Sequence, residues 1–186
     1  PYFVDIDRST GCMCPLALGR ALYDTEGEKQ AVLFVDFAGR VGEDLVEIQQ
    51  LCEEYGAPLI EDAACALGHQ HDGIPAGAFG KISTLSFAPQ KIVTTGQGGA
   101  ILTDDAKLHQ RVSEIIDHGG NDWRKTNLAV AQGTNLRFND VLAAFGSAQL
   151  EQLSHIVERK RAVCALLEHK LRDRLFTTPS GTPLFN

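Results

Sequence analysis

The sequence predicts an α/β fold of three layers, in which helices flank a mostly parallel β-sheet on both sides. Two observations carry this prediction. Short apolar runs that fit buried strands alternate along the chain with amphipathic segments of helical period. The chain also has 186 residues, of which 44% are hydrophobic and 22% charged, so it can bury a proper core as one domain.

The first part of the chain is predicted to contain two strands and two helices. Residues 2–6 form a strand-like run, and residues 15–23 form a short helix whose first turn tolerates a proline. Residues 31–35 are a continuous apolar run, which is typical of a parallel strand covered on both faces. Residues 43–55 carry one apolar stripe and begin with acids, and Gly56 can end this helix in a left-handed conformation.

The remaining strands are predicted from three further runs. Residues 58–60 form a buried strand that ends at Glu61 and Asp62, and residues 82–87 form another. Residues 100–103 fit a short antiparallel member of the sheet. Because side chains alternate along a strand, Glu61 and Asp62 are expected to point in opposite directions, with Glu61 making structural contacts.

Two helices are predicted to follow the strands. The first begins at an N-cap, Asp104 or Asp105, and runs to about residue 118. The second is a single long helix over about residues 140–171, with Asn139 or Asp140 as its N-cap. Its expected inward stripe consists of Leu142, Phe145, Leu150, Leu153, Val157, Val163, Leu167 and Leu171.

The charge, apolar runs and cysteine content of the sequence indicate which binding partners and which cellular location are expected. The net charge is -7, the pI is about 5.3 and no Lys/Arg block occurs, which argues against nucleic acid as a partner. No apolar run approaches the ~20 residues of a membrane helix. The five cysteines are odd in number and irregularly spaced, so neither a disulfide framework nor a metal site is expected, and a reducing cytoplasm is predicted.

The two ends of the chain predict a piece of a larger polypeptide. The chain starts at Pro1, directly on a strand-like run, and finishes in a turn-rich tail. Residues 1–171 are expected to form a partial large domain, and residues 172–186 the start of a linker or of a small C-terminal domain.

Three side chains with complementary chemistry follow predicted strands. Asp62 ends one strand, and the segment from Ser86 to Lys91 leaves another. Ligands of mostly parallel sheets bind beyond the carboxyl ends of the strands, so these groups are expected to share a site. An amine can form a Schiff base, an acid can pair with a pyridine nitrogen and a hydroxyl can help hold phosphate, which together indicate pyridoxal phosphate. Taken singly, each residue also has a structural interpretation. Asp62 can be a turn cap, Lys91 a solvated surface charge and Ser86 a plain strand hydroxyl.

Five ordered motifs extend this interpretation to nearly the whole chain. The motifs are residues 61–68 (EDAACALG), 77–80 (GAFG), 86–91 (SFAPQK), 94–100 (TTGQGGA) and 133–137 (GTNLR). Together they resemble the sugar aminotransferases of the DegT/DnrJ/EryC1/StrS family, which has the type I, aspartate aminotransferase-like fold of pyridoxal-phosphate enzymes.

The resemblance implies a role for each candidate residue of the cofactor site. Lys91 is implied to form the Schiff base, Asp62 to pair with the pyridine nitrogen and Ser86 to contact the phosphate. Cys65 stands where relatives usually place Gln, His or Glu against the cofactor, so its polar contact would be weaker.

The resemblance also implies a second subunit and missing parts. Asn135 is implied to reach the phosphate of the neighbouring subunit, with Arg137 near it, so a homodimer with a shared active site is expected. Relatives have an N-terminal segment that binds the phosphate and a small C-terminal domain. Neither is matched here, so this large domain is expected to be truncated.

The implied activity is transfer of an amino group from an amino acid such as glutamate to a nucleotide-linked keto sugar. Residues 35–39 are similar to a branch that acts on nucleotide-linked N-acetyl-amino-keto sugars. Three alternatives remain open. They are a sugar dehydratase of the same family, in which His typically replaces Lys91; a non-catalytic truncated relative serving dimerisation or regulation; and an unrelated nucleotide-binding domain, whose Gly-rich fingerprint is missing after the first strand.

Overall fold

The computed structural model describes residues 1–28, 30–120, 125 and 128–171. The main helices within them are α1 (Pro15–Asp24), α2 (Glu43–Glu54), α3 (Ala106–Ile116), α4 (Asp140–Leu150) and α5 (Leu153–Leu171). The strands are β1 (Val32–Val35), β2 (Leu59–Asp62), β3 (Gln70–His71), β4 (Ile74–Pro75), β5 (Ile82–Ser86) and β6 (Gly99–Leu102). The predicted linker, residues 172–186, lies outside the described residues.

A four-stranded sheet of order β1-β2-β5-β6 forms the centre of the structure. Strands β1, β2 and β5 are parallel, whereas β6 pairs antiparallel with β5, as predicted for residues 100–103. The strands β3 and β4 form a separate two-stranded hairpin. This arrangement confirms an α/β fold with a mostly parallel sheet, and it brings the carboxyl ends of β1, β2 and β5 to one edge.

The main core lies between one face of the sheet and the helices α1 and α2. Leu18 and Leu22 of α1 and Leu45 and Ile48 of α2 are buried in one cluster with Phe34 of β1. Burial of each such side chain contributes about 1.5–3 kcal/mol. The period of the apolar residues in the two helices was therefore sufficient to predict which of their faces is buried.

The opposite face of β1 corrects one prediction. Val32 and Phe34 are buried, but Leu33 is 57% exposed and Val35 is 45% exposed. The predicted coverage of this run on both faces is thus wrong for the described chain, because α1 and α2 pack on only one of them.

The predicted strand at residues 2–6 is also wrong. Only Ile6 forms a bridge, to Met13, and Phe3 is 89% exposed. The chain folds back immediately, because the Asp7 carboxylate accepts hydrogen bonds from the Ser9 and Thr10 amides. This local turn pairs the run with its own continuation rather than with the sheet.

The predicted long helix is divided into α4 and α5 by a turn at residues 151–152. Gln149 fixes the end of α4, because its Nε2 donates to the Thr94 carbonyl at 2.6 Å and its Oε1 accepts from the Thr94 amide at 3.1 Å. The chain then tightens, with the Gln152 amide donating to the Gln149 carbonyl. After the turn, Leu153 and Val157 pack where Gly68 has no side chain.

The caps of the later helices agree with the sequence, but their apolar stripes are less buried than predicted. Asp105 caps α3 and Asn139 caps α4, and each side chain accepts hydrogen bonds from two backbone amides. Phe145, Val163 and Leu167 of the expected inward stripe are 62%, 56% and 47% exposed. Within the described part of the chain, no helix has both the length and the apolarity needed to cross a membrane.

Candidate active site

Asp62 lies at the carboxyl edge of the sheet and is held by two hydrogen bonds. It is the last residue of β2 and pairs in register with Val35 and Thr84. Its Oδ1 accepts from the Ala64 amide at 3.1 Å and from the Thr84 hydroxyl at 3.4 Å. Among the described residues, no donor reaches Oδ2. The half-buried carboxylate is therefore oriented, with one oxygen available to a ligand.

Glu61 points to the opposite, buried face, as predicted. Its two carboxylate oxygens accept four hydrogen bonds of 2.6–3.0 Å. The donors are the amides of Gly77, Phe79 and Gly80 and the hydroxyl of Ser83. Glu61 thus ties the residue 77–80 motif to β2 and β5 and supports the strand that carries Asp62.

The segment that follows β5 folds back on the strand end. Ser86 Oγ accepts from the Ala88 amide at 3.3 Å, and the Lys91 amide donates to the Ala88 carbonyl. Phe87 is held from both sides, because its amide donates to Gly98 and its carbonyl accepts from Thr95. The turn that contains Lys91 is consequently anchored at both ends.

Gly98 is required by its neighbours in this loop. Its φ is +140°, which L side chains rarely adopt. A Cβ at this position would overlap the ring of Phe138, which also stacks near Phe87 with ring centroids 6.0 Å apart. The glycine-rich motif therefore allows the close approach of the residue 133–138 segment to the loop.

Lys91 and Cys65 are in direct contact. The Lys91 Nζ donates a hydrogen bond to the Cys65 Sγ at 2.9 Å, which places the amine over the loop that begins at Asp62. Both side chains line a cavity of about 860 Å³. The cations Arg40, Lys160 and Arg161 line the same cavity, so its charge suits an anionic ligand.

Asn135 and Arg137 form a separate, exposed cluster. Arg137 Nε lies 3.4 Å from Asp117 Oδ1 and 3.3 Å from Asn135 Oδ1, and Asp117 also bridges Asn135 through the backbone. The described contacts of these two residues do not include Lys91 or Asp62. Their predicted role toward a neighbouring subunit stays a prediction.

Sequence reasoning missed Asp36, which follows β1. The residue is fully buried, and neither carboxylate oxygen has a hydrogen-bond partner of normal geometry among the described residues. Burial, the close approach and charge of Glu61 and the charge of Asp62 raise the pKa of Asp36 to about 8. Strand alternation from Val32 and Phe34 could have indicated that Asp36 faces the core.

Solved structures of aminotransferases share this fold. Helicobacter pylori PseC, an aminotransferase involved in the biosynthesis of pseudoaminic acid, superposes with a TM-score of 0.84 at 26% identity, over 95% of this chain and 46% of PseC. The sequence model of the DegT/DnrJ/EryC1/StrS aminotransferase family matches residues 1–183. The chain belongs to this family, as the five motifs predicted.

Two further relatives illustrate the chemistry found in similar proteins. The dTDP-4-dehydro-2,3,6-trideoxy-D-glucose 4-aminotransferase of Saccharopolyspora spinosa is 34% identical over 184 residues, covering 93% of this chain and 47% of that enzyme. The GDP-4-keto-6-deoxymannose-3-dehydratase ColD superposes with a TM-score of 0.82 at 26% identity, over 92% of this chain and 48% of ColD. The chain thus spans about half the length of the curated relatives it matches.

Proposed function

We propose that the protein containing this chain is a pyridoxal-phosphate-dependent aminotransferase. It transfers an amino group from an amino acid such as glutamate to a nucleotide-linked keto sugar. The observation that carries this proposal is the contact between Lys91 Nζ and Cys65 Sγ, because it brings the amine to the loop that leaves Asp62. Membership of the family and the sugar aminotransferases among the relatives support it.

The residues present fit pyridoxal phosphate. Lys91 supplies an amine at the carboxyl edge of the sheet, and Asp62 presents an oxygen that no described donor occupies. Ser86 ends the neighbouring strand, and its hydroxyl is available to donate to a phosphate. When bound, pyridoxal phosphate supplies an electron sink that stabilises negative charge on a carbon attached to the reacting nitrogen.

Asp62 would keep a positive charge on the pyridine nitrogen. An opposite charge within about 4–6 Å favours the charged form of a group. The hydrogen bonds from Ala64 and Thr84 prevent the Asp62 carboxylate from rotating away from this task. The rigid pairing of β2 with β5 holds Thr84 in place.

Lys91 would have two roles. Its amine would attach the cofactor, and after displacement by the donor its Nζ would carry a proton from the donor's α-carbon to the cofactor. In the second half of the reaction it would carry a proton from the cofactor to the former carbonyl carbon of the sugar. The lysine stem is flexible enough for both tasks, whereas the anchored turn beneath it fixes where the amine can reach.

Asn135 and Arg137 would complete the site of a neighbouring subunit in a homodimer. Their exposure and polar donors are compatible with binding an anionic group across an interface. The five free cysteines agree with the proposed location in a reducing cytoplasm.

Borohydride trapping in the intact protein tests the proposed function. We expect reduction in the presence of pyridoxal phosphate to place the cofactor's mass on Lys91, as shown by peptide mapping. K91A should lose this label, whereas K107A, which removes an exposed lysine of α3, should retain it. Labelling of another lysine in the wild type, or an unchanged visible absorbance band in K91A, would overturn the assignment.

A family dehydratase is the second candidate, because ColD shares the fold with a TM-score of 0.82. The presence of Lys91 favours the aminotransferase, since His typically replaces this lysine in the dehydratase branch. Product analysis separates the two. An aminotransferase releases an amino sugar and one keto acid per turnover, whereas a dehydratase releases a deoxy sugar that has lost its hydroxyl. If the intact protein binds no cofactor, the non-catalytic alternative is favoured instead.

A further inference from the structure

The backbone of Asp36 is tied to both neighbouring parts of the candidate site. Its amide donates to the Asp62 carbonyl at 3.1 Å, which extends the pairing of β1 with β2 by one residue. Its carbonyl accepts from the Gly39 amide at 3.0 Å and closes the turn of residues 36–39. Ala38 within this turn has a φ of 57°, so the turn is held in a conformation that non-glycine residues rarely adopt.

The turn packs directly beneath the cysteine that contacts Lys91. A Cβ added to Gly39 would lie 2.8 Å from the Cys65 carbonyl oxygen, so the two backbones are as close as a glycine allows. Cys65 Sγ in turn accepts from Lys91 Nζ. A displacement of the turn would therefore move the loop that carries both Asp62 and Cys65.

The side chain of Asp36 faces the carboxylate of Glu61, and a negative charge on both groups would be repulsive. Glu61 lies on the same buried face, and its two oxygens accept four hydrogen bonds, so its carboxylate acts there as an acceptor. Asp36 is 0% exposed and lacks a described donor at either oxygen. Two buried carboxylates side by side are costly, but a proton on one of them removes the repulsion and supplies a donor.

The charged groups that act on the Asp36 carboxyl are the carboxylates of Glu61 and Asp62, both on β2. The Cys12 thiol of the N-terminal segment lies close by, and its pKa is raised chiefly by burial and also by the charge of Asp44, whereas the charge of Arg40 lowers it. The raised pKa of Asp36 itself, about 8, agrees with this arrangement.

We propose that Asp36 is a positioning residue that remains protonated at neutral pH, donates its proton to Glu61 and thereby fixes the residue 36–39 turn beneath Asp62 and Cys65. The protonation follows from the buried pair alone, whereas the effect on the active site rests on the proposed function. A side chain that can donate to Glu61 is therefore required at this position, and its charge must be zero.

Infrared difference spectroscopy of the intact protein tests the protonation. We expect the wild type at pH 7 to show the carbonyl band of a buried, protonated carboxylic acid that D36N lacks. The band should vanish when the pH is raised above about 8. D24N, which changes an exposed carboxyl at the end of α1, should retain the band. A wild-type spectrum at pH 7 identical to that of D36N would overturn the proposal.

Cofactor binding tests the positioning role. D36N keeps a neutral donor, so its affinity for pyridoxal phosphate at pH 7 should equal that of the wild type within about twofold. D36L has similar bulk but no donor and should bind at least tenfold more weakly, and between pH 7 and 9 the wild type should lose at least threefold more affinity than D36N.

The outcomes separate this inference from the proposed function. Equal binding by D36L and the wild type would show that Asp36 does not position the site, even if the infrared band is present. If D36L does not fold, the pH dependence of wild type against D36N decides the same question. If no form of the protein binds pyridoxal phosphate, the proposed function and the positioning role both fail, and the infrared band still decides the protonation.

Discussion

The two faces of strand β2 differ more than their adjacent acids suggest. On the buried face, Glu61 is 0% exposed and accepts four hydrogen bonds that organise the residue 77–80 turn. On the other face, the half-buried Asp62 accepts two hydrogen bonds through one oxygen and has a second oxygen free of described donors. The same residue class one position apart therefore serves the fold in one case and the candidate site in the other.

This difference indicates how burial and donor saturation distinguish an acid that holds the fold together from an acid that is available to a ligand. Replacing an acid whose oxygens accept several hydrogen bonds is destabilising, because each buried amide that donates to it would lose its acceptor. An acid with a free oxygen contributes less to the fold and is available to a ligand. Asp36 belongs to neither class, because it is buried like Glu61 but has no described donors.

Replacement of Glu61 by alanine should have the largest effect on stability. It leaves three amides and one hydroxyl without their acceptor, at about 1–3 kcal/mol for each buried group that water cannot reach. We expect E61A to lose more than about 4 kcal/mol of unfolding free energy or to fail to accumulate as folded protein. Urea unfolding followed by circular dichroism measures this loss.

The matched change on the other face is D62N. Its carboxamide oxygen can still accept from Ala64 and Thr84, so we expect its unfolding free energy to stay within about 1 kcal/mol of the wild type. Labelling of Lys91 by pyridoxal phosphate should nevertheless fall sharply, because the pyridinium charge loses its partner. Equal stability losses for E61A and D62N would contradict the distinction between the two faces.

The pH dependence of stability should identify Asp36 as an acid of the buried face. Its pKa rises from 3.8 to about 8 on folding, so its contribution to stability is complete below pH 3.8 and is lost as the pH rises to about 8. Between these values, the wild type should lose at most about 1.4 kcal/mol per pH unit relative to D36N. Parallel stability curves for the two proteins from pH 4 to 8 would contradict the raised pKa.

The sequence was informative wherever a contact follows from local period or strand topology. The opposite orientation of Glu61 and Asp62 follows from the alternation of side chains along one strand. The contact of Lys91 with Cys65, in the loop after Asp62, follows from parallel strands that end at one edge. Asp36 escaped notice because an aspartate after a strand resembles a turn residue, although its register with Phe34 places it inward.

The sequence was uninformative where a contact joins distant parts of the chain. The break between α4 and α5 depends on Gln149 binding the backbone of Thr94, which lies 55 residues earlier. Apolar period continues through the break, so nothing local marks it. The burial of α4 and α5 was overestimated for the same reason, since a stripe indicates a face but not the partner that covers it.

A smaller effect is expected at Gly39, where the buried face and the site meet. Its φ is +81°, and a Cβ would lie 2.8 Å from the Cys65 carbonyl oxygen. We expect G39A to cost about 1–3 kcal/mol because a strained backbone and a displaced carbonyl act together. G27A is the matched control, since Gly27 has a similar φ of +87° but an open surrounding. Equal losses of stability in G27A and G39A would show that backbone strain alone, and not the contact with Cys65, governs this turn.

The smallest effect should come from the cap of α4, which lies outside both faces of β2. Asn139 Oδ1 accepts from the Val141 amide at 2.9 Å and from the Leu142 amide at 3.4 Å. N139A should therefore cost about 0.5–2 kcal/mol, whereas N139D should cost less because aspartate is an equally good cap. Because α4 reaches the Lys91 loop through the bond between Gln149 and Thr94, thermal unfolding and Lys91 labelling should be measured on the same samples. A loss of stability in N139A with unchanged labelling would show that the cap stabilises the helix alone. A loss of labelling larger than the loss of stability explains would show that α4 also supports the candidate site.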